Sequence, residues 1–229
     1  MTPLEHIEEL RKRIIRLLLF IIFFFIAGAV FSNIFIQRLQ KDFLFGQAKL
    51  VVLSPLEFLV VQLKIGFEFA VILATPLAAY ELFMFIKPAF NKKIVRSLNI
   101  LLWLFVLLYF AGLAFAYFVF LPLTFYYITP FAPSSGISNM WGLDSFIYLL
   151  FISIYSTALI FEIPLMMLAL VKTNVLKKEW FSGKRRFIYV AIFVIAAIVT
   201  PGVDVVTQTL VAVPMLLLYE VGNLLMFFF

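Results

Sequence analysis

Six stretches of this chain are too apolar to have water as their surroundings. They cover residues 14–31, 58–85, 98–121, 145–171, 187–200 and 205–228, with short connectors between them. A helix needs about 20 apolar residues to cross the hydrocarbon of a bilayer. In lipid each backbone N–H and C=O has to find its partner inside the chain, which favours helices for runs of this kind. The expected fold class is all-α: a polytopic membrane protein whose residues 1–229 form a single domain of six transmembrane helices. The short connectors predict no sheet domain outside the membrane. Composition agrees, because 65% of the 229 residues are hydrophobic, against about 45–50% in soluble domains.

The fifth run is the exception in length. At 1.5 Å per residue, positions 187–200 reach only about 21 Å, short of a hydrocarbon core of about 30 Å. The sixth run follows after Pro201, Gly202, Val203 and Asp204. The last two helices are therefore expected to form a short, tight hairpin, with the bilayer thinned beside it. Pro76, Pro122, Pro164 and Pro214 fall in or at the edge of apolar runs. Each removes a backbone donor and bends its helix, so the expected bundle is concave rather than cylindrical.

Charge sets the orientation. All but four of the 18 Lys and Arg residues lie in three places: the N-terminal arm, the connection after the second run and the connection after the fourth. The four others are Arg38, Lys41, Lys49 and Lys64. Basic connections stay on the cytoplasmic side, so both termini are expected there, or in the stroma if the membrane belongs to a plastid. The net charge of +6 then reflects topology and attraction to lipid, not a nucleic-acid surface. The chain has no Cys and one His, which excludes disulfides, thiolate metal sites and His-rich metal sites. No cofactor and no catalytic chemistry are expected. The charged N-terminal arm does not read as a secretory signal peptide.

Two helix starts share a signature. Thr2-Pro3-Leu4-Glu5 and Ser54-Pro55-Leu56-Glu57 each predict a hydroxyl at the N-cap, Pro at the first helical position and Glu at the third. The first opens an amphipathic arm with Glu8–Lys12 and Glu9–Arg13 at i,i+4 spacing. Positions 34–45 suggest a short interfacial helix on the far side of the membrane.

Charged groups inside the apolar runs are functional candidates, because each is costly in lipid unless paired. Lys64 and Glu68 are four apart, which fits an internal ion pair. Glu220 lies about two turns from the end of the last run. Glu162 is the most isolated: no other charged residue lies between Asp144 and Lys172, and Pro164 follows two positions later. It either bonds internally, for example to Gln208, or offers a polar anchor to a partner. On the arm, Glu8 and Glu9 are either locally paired or form an acidic patch for a basic peptide, since Arg binds carboxylates bidentately.

The chain resembles the TatC family, the core receptor subunits of the twin-arginine protein translocase. HIEELRKRI (6–14), LSPLEF (53–58), FIKPAF (85–90), GLAFAYFVFLPLTF (112–125), FEIP (161–164), SGKRRFIYV (182–190) and TPGVDVVTQTLVAVPMLLLYE (200–220) fall in family order. WGLDSF and STALIFEIP are most similar to the cyanobacterial and plastid branch. The resemblance implies that Glu9, with Glu8 beside it, binds the twin-arginine motif of signal peptides on folded precursors, while Phe85 and Pro88 shape the adjoining loop. It implies that Pro55, with Ser54, shapes the far-side loop. Glu162, in a helix bent by Pro164, would meet single-span TatA- and TatB-type partners, with Asp204 and Gln208 near the same groove. It also implies a multisubunit complex that associates with itself, driven by the proton-motive force, in a bacterial plasma membrane or a thylakoid. One position departs from the family: PAFNKKIVRS (88–97) has Ile94 where a second acid is expected. A different class of function, a proton- or ion-coupled small-molecule transporter, would use Glu162 with Lys64 and Glu68 as a relay.

Overall fold

The computed structural model describes residues 3–44, 48–89, 92–130, 138, 140–172, 175–199 and 205–228. Helix α1 runs Pro3–Val30 and α2 Ser32–Phe43. A short strand, β1 (Lys49–Val51), leads to α3 (Glu57–Ile86) and a 3₁₀ turn at Lys87–Ala89. Helix α4 (Lys92–Phe115) passes through a π-helical stretch, Ala116–Phe120, into α5 (Leu121–Ile128). Strand β2 (Met140–Gly142) precedes α6 (Leu143–Phe161) and α7 (Ile163–Lys172). The rest is α8 (Lys178–Gly183), α9 (Arg185–Val199) and α10 (Val205–Phe228).

Five helical segments are long and apolar enough to cross a membrane: Ile7–Val30, Glu57–Ile86, Asn99–Ile128, Leu143–Lys172 and Val205–Leu224. They match five of the six expected runs. The remaining one, α9, has 15 residues and is about 22 Å long, so its shortness is as expected. It packs against α10 as a hairpin. The π stretch ends two residues before Pro122. A ring that cannot donate to the preceding turn is accommodated there by a local widening.

The chain divides into two compact units, 1–89 with 125–151, and 90–124 with 152–229. In the first, α1 packs along α3 in antiparallel register. Arg13 faces Glu81 and Gly28 faces Gly66, and just beyond α1 the α2 residue Asn33 accepts from Gln62. The middle of this pair is very close. A Cβ on Gly66 would lie 2.6 Å from the Phe25 carbonyl oxygen, and one on Gly28 would lie 2.9 Å from the Gly66 Cα. Small residues let membrane helices approach until backbone atoms touch. The opposite face of α1 leaves Leu18, Ile22, Phe23 and Ile26 exposed, a surface suited to lipid.

The far-side connections hold no sheet domain among the described residues, only two paired strands of three residues each. Strands β1 and β2 pair in parallel, with Lys49 opposite Met140 and Val51 opposite Gly142. The start of α3 differs from the predicted capping box. The helix begins at Glu57, two residues after Pro55, and Ser54 contributes its carbonyl to the Glu57 N–H (3.1 Å) rather than its hydroxyl. Glu57 reaches back as expected, accepting from the N–H groups of Leu53 and Ser54. Its other oxygen accepts from the Asp144 N–H at 3.0 Å, in addition to the capping bonds. One carboxylate thus ties the start of α3 to the start of α6.

The second unit has an apolar core that includes Ile160, Met167, Leu168, Ile192, Val211 and Met215. The Tyr219 hydroxyl, fully buried, donates to the Phe181 carbonyl at 2.8 Å. Helix α9 exposes Phe187, Val190, Val194 and Ile198.

Candidate functional site

Charged side chains collect near the N-terminal end of α1 and the C-terminal end of α3. Glu9 lies one turn before Arg13 on α1, and the Arg13 Nε donates to Glu9 Oε1 at 3.2 Å. This is the expected i,i+4 pair, but Arg13 has a further partner. Its Nη1 donates to Glu81 Oε2 at 2.7 Å, and Arg16 Nη1 binds the other oxygen of Glu81. Glu81 is only 5% exposed. A carboxylate so far from water is tolerated because two guanidiniums satisfy both its oxygens. Glu9 is 26% exposed along its side chain, and among the described residues its buried Oε2 has no hydrogen-bond partner. Glu8 is exposed, and the expected Glu8–Lys12 pair is absent among the described residues: that face of the arm meets solvent.

Glu81 is a charged residue inside the 58–85 run, like Lys64 and Glu68, but the sequence alone does not show that Arg13 and Arg16 of another helix will meet it. Only the α1–α3 register makes that contact. Beside the pair lies a cavity of about 180 Å³, lined by Leu10, Ile14, Leu17, Glu81 and Phe85 among others. Phe85 therefore borders the same site as Glu81 and Arg13. Pro88 lies exposed in the 3₁₀ turn that follows.

The Lys64–Glu68 pair does not form. Lys64 Nζ binds Asp144 Oδ1 at 2.6 Å, because α6 starts beside α3 and offers an acid at closer reach. Glu68 is half-buried on the same helix. Glu220 is held inside the second unit by the Tyr189 hydroxyl and by Arg185 Nη2 at 3.3 Å.

Glu162 stands between α6 and α7. Its N–H donates to the Leu159 carbonyl three residues back (3.1 Å), and its own carbonyl accepts from Met166 (2.9 Å). The helix tightens there and restarts at Ile163, directly before Pro164. Pro164 is fully buried, and a Cβ on Gly222 of α10 would lie 3.0 Å from the Pro164 Cα. That close packing fixes the break. The Glu162 side chain is 2% exposed, yet among the described residues neither of its oxygens has a hydrogen-bond partner. The bond to Gln208 is absent. Gln208 instead donates to the Phe193 carbonyl at 2.9 Å, because the α9–α10 hairpin brings that carbonyl alongside. Gln208 also lines a cavity of about 660 Å³ with Tyr189, Phe193, Val194 and Ile198. Asp204 lies outside the described residues.

The chain matches the family model for the Sec-independent protein translocase protein TatC over residues 5–214. It is 31% identical to the TatC protein of Carboxydothermus hydrogenoformans across 97% of this chain and 91% of that protein. It is 32% identical to TatC of Aquifex aeolicus across 95% and 91%, and 31% identical to chloroplastic TATC of Arabidopsis thaliana across 97% and 65%. A crystal structure described as the twin arginine translocase receptor TatC superposes with a TM-score of 0.81 at 31% identity, over 96% of this chain and 98% of that one. On this sequence, this helix order and this fold, the chain is a multi-pass membrane protein that belongs to the TatC family of Sec-independent protein translocase proteins.

Proposed function

We propose that this protein is the receptor subunit of a twin-arginine translocase. It binds the paired arginines of signal peptides on folded precursors and recruits TatA- and TatB-type single-span proteins in a self-associating complex. The observation that carries this reading is the carboxylate set around Glu9. At the basic end of the molecule, Glu9 and Glu81 already hold guanidinium groups in hydrogen-bonded ion pairs, with Phe85 bordering the adjoining cavity. Glu8, exposed one position away, adds negative charge, and Pro88 lies exposed in the 3₁₀ turn after α3. The basic arm and loops favour the cytoplasm or stroma for this end, where a precursor meets the membrane.

Partner docking is supported by Glu162. A carboxyl buried in an apolar core without a partner is costly, and a polar side chain from another transmembrane helix would relieve that cost. Pro164 breaks the helix beside it. Gln208 and the hairpin cavity offer a second apolar groove with one polar group, and Asp204, four positions earlier in the sequence, is the further residue proposed for partner docking. Ser54 and Pro55 shape the far-side loop that Glu57 anchors. The transporter reading loses its relay, since Lys64 is committed to Asp144.

Site-specific photo-crosslinking in native membranes tests the assignment. Probes at Glu8 are expected to capture a precursor with an RR signal and not its KK variant. Probes at Leu159 or Met166 are expected to capture a small single-span protein. Equal capture of RR and KK precursors would sink the receptor reading.

A further inference from the structure

Two of the guanidiniums in the Glu9–Glu81 site come from the chain itself. Arg13 and Arg16 are three apart on α1, a spacing that puts both on one helical face, and each takes one oxygen of Glu81. Arg13 also spans to Glu9. Two acids and two arginines leave the site formally neutral. Two further arginines entering it would bring two uncompensated charges against a carboxylate that is 5% exposed, which is strongly unfavourable. The resident pair therefore has to yield before a di-arginine ligand can use the buried acid.

The geometry also shows which contact yields. The Arg16 side chain is 61% exposed and the Arg13 side chain 14%. Arg16, the less enclosed of the two, can leave Glu81 with less disturbance of packed neighbours. Its departure frees one Glu81 oxygen, and Glu9 Oε2 already lacks a partner among the described residues. The apolar cavity bounded by Leu10, Ile14, Leu82 and Phe85 gives the side chains flanking an incoming arginine a place to pack.

Resting on the receptor reading above, we propose that Arg13 and Arg16 act as an internal di-arginine ligand. They occupy the Glu9–Glu81 acid pair and are exchanged, Arg16 first, for the arginines of a signal peptide. Glu81 is then the second acid of the site, in place of the one missing at Ile94. The internal ligand sets a threshold: being tethered, it competes at high effective concentration, and a ligand with a single guanidinium or two ammonium groups does not displace it.

The test is equilibrium binding of fluorescent RR and KK signal peptides to the purified full chain in nanodiscs, with thermal melting as the fold control. Arg16→Gln is expected to bind the RR peptide at least about threefold more tightly than wild type, because the tethered competitor is weakened. Glu81→Gln is expected to bind it about tenfold more weakly, the worth of one charge-assisted contact. Arg16→Lys keeps the charge, loses the forked contact, and is expected to fall between wild type and Arg16→Gln. It decides the matter if Arg16→Gln does not fold. The proposal is overturned if both Arg16 variants bind RR no more tightly than wild type. It is also overturned if Glu81→Gln binds normally while Glu9→Gln does not, an outcome that leaves the receptor reading standing. Equal wild-type binding of RR and KK peptides overturns both.

Discussion

Glu81 and Glu162 are both carboxylates at 5% exposure or less, and they behave oppositely. Glu81 has a guanidinium on each oxygen; Glu162 has no hydrogen-bond partner on either among the described residues. Removing a satisfied group leaves its partners stranded, whereas removing an unsatisfied one relieves a cost of about 1–3 kcal/mol. Glu162→Leu, close in volume and apolar, is therefore expected to melt in detergent at the wild-type temperature or several degrees above it. In native membranes the same variant is expected to lose capture of a single-span partner by a neighbouring crosslinking probe. A sharp fall in melting temperature would show that the carboxyl serves this chain's own fold and would end the docking reading.

At the scale of elements, the tightest constraint is the α1–α3 contact. A Cβ at position 66 would sit 2.6 Å from the Phe25 carbonyl oxygen, so any side chain there pushes two helices apart. Gly66→Leu is expected to cost about 1–3 kcal/mol, as overpacking does, and to loosen the Arg13–Glu81 register farther along the pair. Thermal melting and a cysteine crosslink across α1 and α3 would register both effects. An unchanged melting temperature would mean that the helices are not in this register. The element boundaries are legible from the sequence because lipid selects for apolar runs, and run length sets helix length. What is not legible depends on which runs face each other. Glu57 adds an N–H on α6 to its capping bonds, Lys64 takes Asp144 over Glu68, and Gln208 takes the Phe193 carbonyl over Glu162. In each case tertiary packing supplies a partner that spacing along the chain does not reveal. Glu9 and Phe85 can be placed in one site from their motifs, but Glu81 cannot, since nothing local marks an acid as the one that α1 will cover.

Across the whole molecule, the short α9 raises the question of which side each connection occupies. A helix of about 22 Å does not cross about 30 Å of hydrocarbon unaided. Parity survives all the same. Helices α9 and α10 are consecutive and packed together, so the chain after α10 returns to the side on which α9 begins, however deep the pair reaches. The four long segments before them carry the chain across and back twice. The N-terminal arm, the α3–α4 connection and the α7–α9 connection then share one side, and those are the connections rich in Lys and Arg. The absence of native cysteine makes this directly measurable. Single-cysteine variants Lys12→Cys and Lys184→Cys are expected to react with a membrane-impermeant maleimide from the same side. Val52→Cys and Met140→Cys, beside and within the β1–β2 ladder, are expected to react only from the other. Because β1 and β2 are hydrogen-bonded to each other, labelling of Val52→Cys and Met140→Cys from opposite sides would contradict both the topology and the ladder. Reaction of Lys184→Cys from the side of Met140→Cys would instead show that α6 and α7 do not cross as one continuous span.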